Sequence, residues 1–188
     1  MSAPKVVKEL LERSNRLGSE PRFTNYAGGN TSAKGSVPNP ATGQETTVLW
    51  VKGSGGDLGT LTEPGLAALE LEKFKALKNV YRGVEHEDEM VALFDYCRFG
   101  TSGAAPSIDT AMHGLVPFDH VDHLHPDSII ALATSVDGEK LTRECFGDEI
   151  LWVDWRRPGF QLGLDIAKIA TENPKAKGCI LGGHGLTT

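Results

Sequence analysis

The sequence predicts an α/β protein in which helices pack on a sheet. Segments whose apolar residues recur at helical spacing alternate with short runs of apolar and β-branched residues, and this alternation is typical of layered α/β domains. A length of 188 residues, 39% of them hydrophobic, provides one sizeable core and is short for two. We therefore expect a single domain over residues 1–188.

Composition favours chemistry on a small molecule. The net charge of −6 and the pI near 5.5 give no positive surface for nucleic acid or for a membrane. Cys97, Cys145 and Cys179 are widely spaced, so they predict neither a disulfide framework nor a zinc site with sulfur ligands. The start lacks an apolar signal region and no run of about 18 apolar residues occurs, so we expect a cytoplasmic protein.

Two glycine-rich loops are predicted in the first third of the chain. An amphipathic helix over residues 5–17 ends at Gly18, and residues 28–32 then read Gly-Gly-Asn-Thr-Ser. This run either brings backbone and side-chain donors close to a ligand or forms a turn between strands. A strand over residues 46–52 leads into the second loop, residues 52–57. That loop lacks the spacing of a nucleotide-binding motif, but it is compatible with an oxyanion or phosphate site.

The middle of the chain is predicted to be helical. A helix is expected to begin at residues 62–64 and another to cover residues 87–99. A short helix should follow the loop 101–107 and contain Asp109 and His113, which then share one helix face. Asp109 could equally serve only as a helix cap. The apolar stripe of the first of these helices consists of Leu66, Leu69, Phe74 and Leu77.

Three of the six histidines fall within residues 118–126. If this segment is extended, His123 and His125 project from the same face of a strand and can hold one ion. Neutral imidazole is the commonest zinc ligand in proteins, and His184 in a Gly-Gly-His-Gly run is the candidate for a third ligand. A half-buried strand whose histidines only form hydrogen bonds explains the same pattern, so both interpretations stay open at this point.

The second half is predicted to continue the alternation. Helices are expected over residues 126–133, 139–146 and 162–171, with strands over 150–154 and 179–181. Another strand should begin just after His184.

Five short motifs occur in an order that resembles the class II aldolase/adducin family, and most closely the aldolase domain of the bifunctional rhamnulose-1-phosphate aldolase/alcohol dehydrogenases. The resemblance covers nearly the whole chain and implies a layered α/β/α domain with a central, mainly antiparallel sheet. The motifs are Gly28-Gly29-Asn30-Thr31-Ser32, Lys52-Gly53-Ser54-Gly55, Pro106-Ser107-Ile108-Asp109-Thr110, His123-Leu124-His125-Pro126 and Gly183-His184-Gly185.

The resemblance implies a role for eight residues. It implies a zinc ion held by His123, His125 and His184. The carboxylate that moves the proton in the family is usually a glutamate; here Asp109, one methylene shorter, stands in its place, and His113 or His120 could share that work. The substrate phosphate is expected to contact Asn30, Ser54, Gly55 and Ser107.

The implied reaction is the reversible cleavage of a 1-phosphoketose into dihydroxyacetone phosphate and an aldehyde such as lactaldehyde. The resemblance also implies a homo-oligomer, a fused short-chain dehydrogenase domain, and a truncated chain whose proton-donating tyrosine lies beyond Thr188. Two alternatives remain. One is an epimerase or dehydratase on the same fold, and the other is an adducin-like binding module without catalysis.

Overall fold

A computed structural model describes residues 3–188. Its strands, in chain order, are β1 (Asn30–Pro38), β2 (Glu45–Lys52), β3 (Leu66–Glu70), β4 (His120–Leu124), β5 (Ile150–Val153), β6 (Gly178–Leu181) and β7 (Gly185–Thr187). Its α-helices are α1 (Lys5–Gly18), α2 (Leu71–Ala76), α3 (Glu87–Phe94), α4 (Thr110–Leu115), α5 (Asp127–Ala133), α6 (Gly138–Phe146) and α7 (Phe160–Glu172). Among the described residues, no helix has the length and apolar character needed to cross a membrane.

The strands form one mixed sheet in the order β3-β2-β1-β4-β7-β6-β5. Every neighbouring pair is antiparallel except β5 and β6, which run parallel. The parallel pair is joined through α7, as a parallel connection requires a crossover long enough to hold a helix. The expected α/β class and the mainly antiparallel sheet are therefore confirmed.

Helices cover both faces of the sheet. Because successive strand residues point to opposite faces, Leu49 and Val51 of β2 pack with α2, α3, α4 and α7, whereas Val48 and Trp50 pack against α1. Helices α5 and α6 lie on the α1 side near β5 and β7. The molecule is thus a three-layer α/β/α sandwich with an apolar core on each side of the sheet.

One predicted helix is wrong in its first part. Residues 66–70 form strand β3 and not the start of a helix, and the helical segment that follows is only Leu71–Ala76. The spacing of Leu66 and Leu69 suits a helix, but β3 pairs along its whole length with β2 and buries Leu66, Ala67 and Leu69. Tertiary pairing outweighs the local pattern here. The helix expected over 87–99 ends at Phe94 and continues as a short 3-10 turn.

The topology brings several loops to the same end of the sheet. Asn30, the first residue of β1, pairs with His123 near the end of β4, and Lys52 is the last residue of β2 beside it. The turn that holds His184 joins β6 to β7, and β7 is antiparallel to β4. Because antiparallel neighbours run in opposite directions, the end of β4 lies beside the start of β7. His125 and His184 therefore meet beside both glycine-rich loops.

Candidate metal centre and adjoining cavity

Three imidazole rings converge at this end of the sheet. The Nε2 atom of His123 lies 3.0 Å from Nε2 of His125 and 3.2 Å from Nε2 of His184. Their ligand atoms all lie within 4.8 Å of one another. Two nitrogens bound at about 2.0–2.1 Å to one tetrahedral ion are about 3.3–3.4 Å apart, so this spacing suits a shared metal ion. The prediction that the three histidines come together is confirmed.

For two of the three rings, a hydrogen bond at Nδ1 fixes which nitrogen faces the centre, whereas Nδ1 of His184 has no partner. Nδ1 of His123 lies 2.9 Å from the carbonyl oxygen of Leu186, and Nδ1 of His125 lies 3.2 Å from Oδ1 of Asn25. Both oxygens only accept, so both Nδ1 atoms carry the proton and both Nε2 atoms present lone pairs. Two lone pairs 3.0 Å apart repel each other unless a cation lies between them. The donor set therefore fits a metal ion better than it fits a purely hydrogen-bonded cluster.

Burial keeps the three rings neutral. It lowers the pKa of His123 well below the ordinary value, and the neighbouring His184 and His125 lower it further. Burial, followed by His184, also lowers the pKa of His125, and burial lowers the pKa of His184 against the opposing effect of Asp109. Neutral imidazole is the form that binds metal, so the centre is ready for an ion at neutral pH.

Asn25 gives a direct test of the outer contacts of this centre. We expect Asn25→Ala to weaken metal binding about 10- to 100-fold, because His125 loses the oxygen that orients its ring. Zinc titration of the metal-free protein measures the change. Asn173→Ala, at an exposed helix end, is the matched control and should bind as the unaltered protein does. Equal affinity in Asn25→Ala and the control would show that His125 needs no such partner.

A cavity of about 250 Å³ adjoins the metal centre. Its polar lining includes Asp109, Ser107 and His125, and both glycine-rich loops contribute backbone. Lys52 brings a positive charge: its side chain is buried and its Nζ donates to the carbonyl oxygen of Gly55 at 3.1 Å. Burial lowers the pKa of Lys52, while Asp109 and Asp57 act in the opposite direction. The cavity thus combines one cation, one carboxylate and many directed donors.

Glycines in the loops at the cavity let the backbone lie where a larger residue would clash or be strained. A Cβ atom on Gly28 would lie 2.0 Å from Oδ1 of Asn25 and 3.0 Å from Nδ1 of His125, so only glycine fits beside this pair. Gly55 has a φ of 77°, a left-handed conformation that glycine adopts without strain. Asp57 ties the two loops together, accepting from the backbone N–H groups of Ala27 at 2.8 Å and Gly59 at 3.0 Å.

Asp109 and Ser107 present unpaired oxygens to this region. Oδ2 of Asp109 accepts from Nδ2 of Asn30 at 2.9 Å, whereas Oδ1 of Asp109 and Oγ of Ser107 are buried without a hydrogen-bond partner. Buried polar atoms are normally satisfied, so these two oxygens are available to a ligand in the cavity. Asp109 precedes α4 but makes no capping hydrogen bond. The alternative that it serves only as a cap is therefore wrong.

Other predicted donors lie away from the cavity. Thr31 and Ser32 belong to β1 and are fully buried, and their hydroxyls contact Ser14 and His113. They are not free donors of a loop. His120 is exposed and contacts Arg13, so it does not line the cavity.

Sequence reasoning missed some residues of the site. Lys52 belongs to one of the five motifs but has no predicted role, and its position at the end of a buried strand, beside a glycine-rich loop, is the signal that could have found it. Asn25 carried no signal, since its partner His125 is 100 residues away in the chain.

Fold and site together define a layered α/β protein with a three-histidine candidate metal centre beside a glycine-rich cavity. The profile of the family described as "Class II Aldolase and Adducin N-terminal domain" matches residues 8–188. The chain belongs to the class II aldolase/adducin family, and this part of the sequence-based expectation is confirmed.

Individual relatives agree with this assignment. The chain is 38% identical over 185 residues to "Uncharacterized oxidoreductase YuxG" of Bacillus subtilis (strain 168). The aligned region covers 98% of this chain and 26% of YuxG. It therefore spans about a quarter of that relative. The N-terminal class II aldolase domain of a conserved protein from Thermoplasma acidophilum superposes with a TM-score of 0.85 and 25% identity, covering 100% of this chain and 85% of that one. A sugar-phosphate aldolase from Thermotoga maritima shares the fold, with a TM-score of 0.66 and 13% identity. This superposition covers 98% of this chain and 84% of that one.

Proposed function

We propose that this chain is the zinc-dependent aldolase part of a protein that cleaves a 1-phosphoketose, similar to rhamnulose 1-phosphate, into dihydroxyacetone phosphate and an aldehyde such as lactaldehyde. The observation that carries the proposal is the three converging imidazoles next to a cavity that holds a carboxylate with one free oxygen. His123, His125 and His184 would hold the zinc. A bound zinc ion supplies Lewis-acid stabilisation of negative charge on substrate oxygens.

Asp109 is the residue that moves the proton in this proposal. Its Oδ1 atom has no partner, and its Oδ2 atom is held by Asn30, so the carboxylate is oriented and one oxygen stays free to take a proton. Asp109 also contributes to the electrostatics of His125 and His184, which supports its closeness to the metal centre.

The two glycine-rich loops would hold the phosphate. Ser107 offers a buried hydroxyl without a partner, Gly55 and Ser54 lie on the cavity wall, and one amide hydrogen of Asn30 remains after its bond to Asp109. Lys52 adds the charge that a dianion needs, because its Nζ has three hydrogens and only one acceptor. An anion in this cavity would leave the substrate carbonyl next to the histidines.

Lys52 allows the phosphate assignment to be tested without turnover. We expect Lys52→Met to weaken the binding of inorganic phosphate about 10- to 100-fold, the usual scale for losing a hydrogen bond to a charged group. Calorimetric titration measures it. Lys168→Met, on the exposed side of α7, is the matched control. If phosphate binds both variants equally, the anion is held elsewhere and the substrate class proposed here is wrong.

Product analysis tests the reaction itself. The zinc-loaded protein is incubated with rhamnulose 1-phosphate, and dihydroxyacetone phosphate is the expected product. A changed stereocentre without carbon–carbon cleavage would identify an epimerase, and loss of water would identify a dehydratase. If the protein binds no zinc and alters no phosphoketose, an adducin-like binding role replaces the proposal.

We also propose that the natural protein joins this aldolase part to an oxidoreductase part. The support is the relative YuxG, which carries the name oxidoreductase and extends well beyond the 26% that this chain matches. An aldehyde released by the aldolase would then be a substrate for the second part.

A further inference from the structure

A fully buried histidine lies behind the candidate catalytic carboxylate. His113 in α4 has no exposed surface, and its Nε2 atom is hydrogen-bonded to Oδ1 of Asn30. The same Asn30 donates from Nδ2 to Oδ2 of Asp109 at 2.9 Å. On the other side of the ring, Nδ1 of His113 lies 2.8 Å from Oγ of Ser32. Four side chains thus form one continuous chain of hydrogen bonds that ends at the cavity.

The chemistry of the groups fixes the direction of every bond in this chain. An ionised carboxylate only accepts, so the amide nitrogen of Asn30 must face Asp109 and its oxygen must face His113. That oxygen also only accepts, so the proton of His113 must be on Nε2. Nδ1 is then a lone pair that accepts from the hydroxyl of Ser32. The competing acceptor of that hydroxyl, the carbonyl oxygen of Val121, is farther away at 3.3 Å.

His113 is suited to a fixed role and unsuited to proton transfer. Burial lowers its pKa to about 3, with the positive charge of Lys34 as a smaller cause. The ring is therefore neutral throughout the neutral pH range. It also has no access to the cavity, because Asn30 lies between it and Asp109. These facts oppose the expectation that His113 shares the proton transfer with Asp109.

We propose that His113 is a positioning residue: as the Nε2–H tautomer it holds the Asn30 amide in one orientation, and Asn30 in turn holds Oδ2 of Asp109 at the cavity wall and leaves Oδ1 unbonded. A flipped amide would place the Asn30 oxygen against Oδ2 of Asp109, where two acceptors repel. Without His113 the amide is held only through its bond to Asp109, and the Asn30 side chain is free to rotate out of its present position. The catalytic consequence rests on the function proposed above, whereas the tautomer and the amide orientation do not.

The first test requires no substrate. In the full chain labelled with ¹⁵N, the imidazole nitrogens of His113 at pH 7 should show the proton on Nε2 and a bare Nδ1. In His113→Leu, the side-chain amide resonances of Asn30 should shift, whereas in His86→Gln, which alters a histidine paired with Glu89 outside the site, they should stay. A proton on Nδ1, a charged ring, or unmoved Asn30 resonances in His113→Leu would overturn the proposal.

The second test measures turnover in variants that keep their fold and zinc content. We expect kcat of His113→Leu to fall about 100-fold, the scale that misplacement of a reacting group can reach. His113→Gln should recover most of this loss, because the glutamine amide can still donate to Asn30. Full turnover in His113→Leu would overturn the positioning role. Absence of cleavage in the unaltered protein would instead refute the proposed function, and the resonance test would still decide the hydrogen-bond chain.

Discussion

His184→Ala is expected to weaken zinc binding by more than about 100-fold, because loss of a direct ligand exceeds the 10- to 100-fold effect of losing an outer contact. The turn between β6 and β7 brings His184 to His123 of β4 and to His125 just after that strand, and Nε2 of His184 lies 3.2 Å from Nε2 of His123. Metal analysis after dialysis against limiting zinc should find one ion per unaltered chain and little zinc in the variant.

The melting temperature gives a second reading of the same change. An ion that binds only the folded protein stabilises it by about 2.7 kcal/mol when its free concentration is 100 times the Kd. Zinc should therefore raise the melting temperature of the unaltered protein and of a His86→Ala control, but scarcely that of His184→Ala. Full zinc occupancy in His184→Ala would show that the three histidines do not form the site.

Asp109→Asn is expected to lower turnover by about 100-fold or more, the usual scale for losing a general base. Asparagine keeps the shape and can still accept from Nδ2 of Asn30, so the fold and the zinc content should stay nearly unchanged. Steady-state cleavage of the phosphoketose per folded, zinc-loaded molecule measures the effect. Asp109→Glu, which restores the side chain usual in the family, should retain activity if the longer carboxylate fits the cavity.

The opposite outcome for Asp109 is equally clear. Unchanged turnover in Asp109→Asn, with or without a loss of stability, would remove this residue from the proton transfer. The cavity offers no second carboxylate among its lining residues in the described part of the chain, so the base would then have to come from elsewhere.

Much of the fold could be predicted because the local patterns agree with the tertiary structure. The amphipathic spacing of residues 5–17 and the apolar run before Lys52 appear as α1 and β2 with nearly the expected ends. Strand β3 could not be predicted in the same way. Its leucines fit helical spacing as well as a strand, and only the pairing with β2, the preceding strand, decides between them.

The metal ligands could be predicted because a single residue separates His123 from His125 at the end of β4. The contacts that orient the carboxylate could not. The hydrogen-bond partner of His113 is Asn30, 83 residues away, and the two meet because α4 packs against β1. The residues of such a hydrogen-bond chain are not separated by any regular spacing, so no sequence pattern predicts it.

The position of His184 between β6 and β7 also has a consequence for the cohesion of the sheet. An ion held by His123 and His184 would link residues 61 positions apart, and only the folded chain brings them together. Strand β7 pairs with β4 at two positions, and Asp122 and Thr188 exchange backbone hydrogen bonds beside them. This pairing joins strands β3, β2, β1 and β4 to the β6–β5 pair. An ion bound by these histidines would thus also hold the two parts of the sheet together, and its removal would loosen the contact between β4 and β7.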